Sequence, residues 1–288
     1  MWCEHDHHAA GHALHYATNH HDPAAGAIVF FHGVLRAWNT CLPLAAHLTP
    51  RYDAWALDHR GHGRSGRAER YRVVDYVADA TAWLRATIDR PVVLYGHSLG
   101  AMVAASVAAA CPDQVRGVVL EDPPFQTMGS RLAATDWGNY FRQIAALVAE
   151  PRSTRALAEG LAEVRVTNPG TRQPTRLGDV RDPAALRFFA ATLLRVDPRV
   201  LDPIVAGNWL EGYDERRVFA GLQCPVLALQ ADVAAGGMLI DDDVSLLRSL
   251  AADVLHVRFA GVGHNIAWQR TQEVANLVHN FIESLNDD

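Results

Sequence analysis

Residues 95–102 read YGHSLGAM, a stretch that places Ser98 between two glycines at G-x-S-x-G spacing. The apolar run PVVLYG (91–96) leads into it, and the small-residue run LGAMVAASVAAAC (99–111) follows it. This order predicts a sharp turn from a strand into a helix, with the serine exposed at the turn. Neighbours two residues away must be small to avoid clashes at such a turn, and the two glycines meet that need.

Length and composition limit the classes of protein that this chain can belong to. It has 288 residues, 49% apolar and 20% charged, with a net charge of −6. One catalytic core with an inserted subdomain fits this length. Without a basic excess, neither a nucleic acid nor an anionic membrane surface is an expected partner.

The sequence also carries no sign of export or membrane insertion. No apolar run reaches the ~18 residues of a membrane span, and the N-terminus MWCEHDHHAAGH (1–12) lacks the apolar core of a signal peptide. The four cysteines are far apart and match no zinc or redox spacing. We expect a cytoplasmic protein with reduced cysteines.

Short apolar runs alternate with segments of helical periodicity. The predicted strands are 27–32, 53–58, 91–96, 115–122, 225–230 and 254–259, with HALHYAT (12–18) as a first strand. The predicted helices of this part of the chain are 40–48, 73–88, 99–111 and 267–285. Such alternation predicts an α/β fold, with a mostly parallel central sheet and helices on both faces.

The alternation of strands and helices stops after the predicted strand 115–122 and resumes at the predicted strand 225–230. We predict no strand there, only helical pieces at 131–149, 153–165, 183–195 and 198–210. The interruption is larger than any ordinary loop. It predicts a helical cap, residues 124–222, inserted between core segments 1–123 and 223–288.

An attacked carbonyl needs two N–H donors aimed at its oxygen. One would come from Leu99, directly after the serine. The loop HGVL (32–35), after the predicted strand 27–32, would supply the other, and Val34 is our choice.

Five segments together resemble the α/β-hydrolase fold superfamily in content, spacing and order. They are HGVLRAW (32–38), LDHRGHGRSG (57–66), GHSLGA (96–101), LEDPP (120–124) and GVGHN (261–265). The resemblance implies that Ser98 is the nucleophile and that His264, after the last strand, is the base. It also implies a mostly structural role for LDHRGHGRSG.

The acid that should orient His264 is ambiguous. The superfamily usually places it after the strand that follows the cap, often as G-x-x-D, but QADVAAGGML (230–239) has Ala234 at that position. Some members instead carry the acid at the end of the strand before the cap, where this chain has Asp122. We favour Asp122, keep Asp232 as the alternative acid, and leave a small remainder to Glu121 and Asp241.

The pocket candidates are residues of the oxyanion loop and aromatic residues of the core and cap. They are His32, Gly33, Trp38, Phe125, Trp137, Phe141 and Trp209. Such walls favour a small-molecule substrate with an apolar or aromatic portion. For Arg36, a surface or structural role is favoured over contact with a substrate carboxylate. The N-terminal histidines match no metal motif, so we expect neither a metal nor a cofactor.

These observations predict a serine hydrolase that cleaves an ester, lactone or related carbonyl through an acyl-enzyme. A serine at this position argues against haloalkane dehalogenases and epoxide hydrolases, whose covalent route uses aspartate. The alternatives are a C–C bond hydrolase, a cofactor-free perhydrolase of the haloperoxidase-like branch and, outside enzymes, a non-catalytic binding protein of the same fold.

Overall fold

The computed structural model describes residues 1–9, 11–20, 26–168 and 170–285. Within them, eight strands form one sheet in the order β1-β2-β4-β3-β5-β6-β9-β10, and two further strands form a separate hairpin. The strands are β1 Cys3–Ala9, β2 His12–Asn19, β3 Gly26–Phe31, β4 Tyr52–Leu57, β5 Val92–His97, β6 Val115–Glu121, β7 Arg165–Thr167, β8 Pro174–Arg176, β9 Val226–Ala231 and β10 Val254–Phe259.

The sheet is parallel from β4 to β10, and only β1 and β2 run antiparallel to their neighbours. Strands covered on both faces read as continuous apolar runs, and every residue of β4 and β9 is buried. The prediction of a mostly parallel sheet is confirmed. The six predicted strands of the parallel part match the observed ones to within one residue at each end.

Helices cover both faces of this sheet. The α-helices are α1 Leu42–Leu48, α2 Val73–Thr87, α3 Leu99–Ala110, α4 Trp137–Val148, α5 Thr154–Glu163, α6 Leu177–Val180, α7 Pro183–Leu193, α8 Asp202–Ala206, α9 Glu215–Ala220, α10 Asp241–Leu250, α11 Ile266–Gln269 and α12 Thr271–Ser284. Side chains of α2, α3 and α10 belong to one buried cluster, and those of α1, α11 and α12 belong to the other. In the described residues, no helix combines the length and apolarity that a membrane crossing requires.

The N-terminal strand β1 was not predicted. It pairs with β2 along its whole length, from Cys3 opposite Thr18 to Ala9 opposite His12. As an edge strand it exposes polar side chains, including those of His5 and His8, and so lacks the apolar run that marks an interior strand.

Residues 122–225, which we call the insert, join β6 to β9 and contain α4 to α9. The prediction that they hold no strand is wrong, because β7 and β8 pair there as an antiparallel hairpin. Three-residue strands with exposed side chains give no apolar alternation to detect. The predicted helix 198–210 is a short 3₁₀ helix, Pro198–Leu201, followed by the five-residue α8. The domain boundaries 1–123, 124–222 and 223–288 stay a prediction.

The turn from β5 into α3 depends on two glycines at which backbones touch. A Cβ on Gly96 would lie 2.1 Å from the carbonyl oxygen of Gly100, and a Cβ on Gly100 would lie 2.0 Å from that of Phe31. No side chain fits at either place, so α3 sits directly on the ends of β3 and β5.

We expect Gly96→Ala to lower the free energy of unfolding by about 3 kcal/mol or more, because the added methyl group must displace backbone rather than a mobile side chain. Urea unfolding followed by circular dichroism measures the change. The matched control is Gly138→Ala in α4, where the nearest atoms to a Cβ lie 3.6 Å away. That variant should be neutral or stabilised by about 0.5–1 kcal/mol. Equal stability of the two variants would contradict the packing argument.

Candidate active site

Ser98 occupies a strained backbone conformation between β5 and α3. Its φ is 55° and its ψ is −119°, a region that costs a residue with a side chain about 1–3 kcal/mol. The N–H of Ser98 donates to the carbonyl of Glu121 at 2.9 Å, and the N–H of Ala101 donates to the carbonyl of Ser98 at 2.9 Å. These bonds fix the turn that the glycine pattern predicts.

The expectation that Ser98 is exposed is wrong, because the residue is only 4% exposed. The loop after β3 lies against the turn and covers it. A Cβ on Gly33 would lie 2.8 Å from Nδ1 of His97 and 3.2 Å from Cβ of Ser98. Gly33 therefore allows the loop to approach the serine as closely as backbone can.

Buried histidines hold this loop through ring nitrogens that accept hydrogen bonds. Nε2 of His62 accepts from the N–H of Leu35 at 3.2 Å, and Nε2 of His32 accepts from the N–H of His59 at 3.1 Å. Each ring donates its other nitrogen to a backbone carbonyl, which for His32 is that of Gly33 at 2.8 Å. Both rings are thus neutral, and burial lowers the pKa of each.

The two predicted oxyanion donors remain available. In the described parts of the chain, the N–H groups of Val34 and Leu99 donate to no other protein group. Leu99 is the first residue of α3, and the N–H groups at a helix start have no partner inside the helix. Unpaired donors of this kind suit an oxygen that gains negative charge.

Of the two carboxylates considered for the acid, the structure brings Asp122 to His264. Nδ1 of His264 donates to Oδ2 of Asp122 at 2.7 Å. Asp122 is fully buried, and three backbone N–H groups hold it, from Ala231 at 3.1 Å, Met238 at 2.8 Å and Leu239 at 3.1 Å. Its carboxylate is therefore fixed in direction from two segments of chain.

Asp232 has a different environment. Its side chain is partly exposed and accepts from the N–H groups of Gly261 at 2.9 Å and Ala234 at 2.8 Å. These backbone hydrogen bonds, with that of Gly261 foremost, lower the pKa of its carboxyl. Asp232 caps the 3₁₀ turn Val233–Ala235, and the structure gives it no contact with His264.

His264 lies between two rings on the loop that joins β10 to α11. The ring of His97 is 4.7 Å away and that of Trp137 is 5.4 Å away, measured between centroids. Nε2 of His97 also donates to the carbonyl of His264 at 3.0 Å. His97 was not predicted as a site residue, although its position inside the G-x-S-x-G pattern places it directly before Ser98.

Glu121 also supports this loop, although the sequence analysis kept it only as a remaining candidate for the acid. It accepts from the hydroxyl of Tyr95 at 2.6 Å and from the N–H of Ala267 at 2.8 Å. Burial raises the pKa of its carboxyl to about 7. Glu121 is the last residue of β6 and Asp122 follows it directly, so these neighbours hold the loop at two places, Ala267 and His264.

The predicted pocket residues separate into three groups. Trp137 lies beside His264, and the buried Phe141 lies 6.1 Å from the ring of Trp137. A cavity in front of the loop after β3 is lined by His32, Gly33 and Trp38, together with Arg36, His97 and Asn265. The structure places the remaining two in the core, where Phe125 packs on Phe219 at 4.9 Å and Trp209 is buried.

Residues 26–271 match the family model described as alpha/beta hydrolase fold. The chain belongs to this family of hydrolases. Its sequence is 38% identical over 96 residues to 2-(acetamidomethylene)succinate hydrolase of Mesorhizobium japonicum, and 41% identical over 105 residues to lipase LipV of Mycobacterium tuberculosis. These stretches cover 33% and 36% of the chain, and they span only 34% and 40% of the length of the two relatives.

A solved structure extends the likeness to the whole fold. The crystal structure of E-2-(acetamidomethylene)succinate hydrolase superposes with a TM-score of 0.73, covering 98% of this chain and all of that one. The sequences of the two are 21% identical. At that identity the superposition shows a shared α/β-hydrolase fold.

The low pKa values of the buried histidines predict how the free energy of unfolding depends on pH. Burial lowers the pKa of His59 to about 3 and that of His62 to about 4, against about 6.5 in an unfolded chain. Between these values the unfolded state binds protons that the folded state refuses, so stability falls as the pH falls below 6.5. Each histidine contributes up to about 1.4 kcal/mol per pH unit. Urea unfolding at pH 7.5, 6.0 and 5.0 should show this loss.

Two variants measure how much one histidine, His59, contributes to this dependence of stability on pH. Glu121, with its raised pKa, acts in the opposite sense between pH 4.5 and 7, so the comparison is made between variants that keep it. His59→Phe should reduce the slope of the unfolding free energy against pH by about one proton. A phenylalanine suits this place because the ring lies among aromatic neighbours such as Phe31 and Tyr76. His47→Phe, the same change at an exposed site, should keep the wild-type slope. Identical slopes in both variants would disprove the assignment.

Proposed function

We propose that this chain is a serine hydrolase that cleaves an ester, a lactone or a related carbonyl compound through an acyl-enzyme. The 2.7 Å hydrogen bond between Asp122 and His264 carries the proposal. It lies beside a strained turn that holds Ser98 and beside two N–H groups without a protein partner. A carboxylate, an imidazole and a hydroxyl in this order are the parts of an activated nucleophile.

The proposed reaction follows from which nitrogen of His264 is engaged. With Nδ1–H bound to Asp122, Nε2 is the free base. It takes the proton as Oγ of Ser98 attacks the carbonyl carbon, and the N–H groups of Val34 and Leu99 bind the oxyanion. The imidazolium then gives its proton to the leaving group. Water, deprotonated by the same nitrogen, attacks the acyl-enzyme and releases the acid, which restores Ser98.

The proposal includes the class of substrate. The ring of Trp137 next to His264, with that of Phe141 next to Trp137, favours a small molecule with an apolar or aromatic portion. The Mesorhizobium relative is named for hydrolysing a succinate derivative, so esters and amides of dicarboxylic acids belong on a substrate panel with lactones and diketones.

We also propose that the protein is cytoplasmic, because its four free thiols would stay reduced there.

The first test is covalent labelling with a fluorophosphonate probe. We expect one adduct, on Ser98, and a loss of about 10⁴-fold or more in kcat for Ser98→Ala. Ser249→Ala, a change at an exposed serine on α10, is the matched control and should label and turn over like the wild type. A wild-type protein that neither takes the label nor cleaves the ester panel would indicate a binding protein of this fold.

The second test distinguishes the two carboxylates. Asp122→Asn should lower kcat about 10³- to 10⁴-fold with little change in KM, since the amide no longer stabilises the imidazolium. Asp232→Asn should stay within about threefold of the wild type, because that side chain only caps a turn. Steady-state kinetics on a nitrophenyl ester give both numbers. The reverse pattern would move the acid to Asp232.

A further inference from the structure

Arg36 lies at the edge of the candidate site, three residues beyond Gly33. Its guanidinium carbon is 4.8 Å from the ring centre of Phe189 on α7 and 5.4 Å from that of Trp268 on α11. Its Nη2 donates to Oδ1 of Asn265 at 3.4 Å, and Asn265 directly follows His264. Ring faces leave the edge of a guanidinium, with its N–H groups, free to bind another group.

The charge of Arg36 has no anionic partner in the described residues. Two other arginines that are at least partly buried do have one, Arg60 on Asp79 and Arg131 on Asp243. Burial lowers the pKa of the Arg36 guanidinium, which nevertheless keeps its charge at neutral pH. A partly desolvated cation without a counter-ion is costly, and a bound anion would offset that cost.

The one carboxylate among the residues that line the same cavity does not fill this place. Glu121 has one oxygen bound to the hydroxyl of Tyr95 and the other bound to the N–H of Ala267. Burial raises the pKa of this carboxyl to about 7. The cavity therefore contains the charge of Arg36, and the carboxylate in its lining already has both oxygens engaged.

A second ring of α4, that of Tyr140, lies near the same site. It is 5.5 Å from the ring of Trp137, which in turn is 5.4 Å from that of His264. Two ring contacts thus connect Tyr140 to His264.

We infer that Arg36 forms an anion subsite that binds a carboxylate on the acyl side of the substrate, close to the scissile carbonyl. The N–H groups that Asn265 does not engage can bind a carboxylate, whose two oxygens match a planar guanidinium. The substrate class is then the monoester, or the related monoamide, of a short dicarboxylic acid. This inference rests on the proposed hydrolase function, whose reaction centre is Ser98 and His264.

Two esters of equal length test the subsite. Mono-4-nitrophenyl glutarate carries a carboxylate where 4-nitrophenyl pentanoate carries a methyl group, and the two share one leaving group. We expect the wild type to prefer the glutarate in kcat/KM. In Arg36→Gln the glutarate-to-pentanoate ratio should fall about 10- to 100-fold, as for the loss of a hydrogen bond to a charged group. For Arg36→Lys we expect a glutarate-to-pentanoate ratio between those of the wild type and Arg36→Gln.

A surface arginine gives the matched control. Arg155 on α5 forms an exposed ion pair with Glu159, and Arg155→Gln removes the same charge from the insert. Its glutarate-to-pentanoate ratio should equal that of the wild type, which separates local binding from a general effect of net charge. Urea unfolding of Arg36→Gln shows whether the variant is folded before its ratio is interpreted.

Failure of the subsite proposal and failure of the proposed hydrolase function give different experimental results. If Ser98 takes the fluorophosphonate and the pentanoate is cleaved, but Arg36→Gln leaves the ratio unchanged, the subsite is disproved and the hydrolase stands. If neither ester is cleaved and Ser98 is not labelled, the proposed function fails. Titration calorimetry with glutarate then decides on the subsite: binding that Arg36→Gln abolishes supports it, and no binding to the wild type overturns it.

Discussion

The close contact of α3 with the ends of β3 and β5 governs the geometry of the whole site. At Gly96 and Gly100 the backbones meet with no room for a side chain. The chain can pass from strand to helix in so short a space only if Ser98 takes a positive φ. The same turn presents the first N–H groups of the helix, including that of Leu99, to the space in front of the sheet. One packing constraint thus places both the hydroxyl of Ser98 and the N–H group that we propose as an oxyanion donor.

The neighbouring pair Glu121 and Asp122 anchors the other side of the site. Three backbone N–H groups from the chain around β9 converge on Asp122, while Glu121 binds Tyr95 and the start of α11. His264 is therefore oriented by a carboxylate that cannot rotate. The proposed acid thus lies just after β6, while Asp232, after β9, caps a turn instead.

How far the sequence predicts this structure depends on how local each signal is. Buried parallel strands are apolar along their whole length, so their bounds follow from the sequence to within a residue. The edge strand β1 and the hairpin β7–β8 expose their side chains and give no such signal. The choice between Asp122 and Asp232 depends on a contact across 142 residues, which no local pattern contains. The burial of Ser98 was missed for the same reason, since a loop remote in sequence covers it.

The loop after β3 carries a residue of the proposed reaction centre and the residue of the proposed anion subsite. It carries the Val34 amide and, two residues later, Arg36, whose own N–H donates to the carbonyl of Gly33 at 3.2 Å. Neutral His62 holds the intervening Leu35 in a left-handed conformation, with a φ of 64°. The backbone between the proposed oxyanion donor and Arg36 is thus held within one short, tied segment. A substrate with a carboxylate at the matching distance from its carbonyl would be aligned for attack by the same contact that binds it.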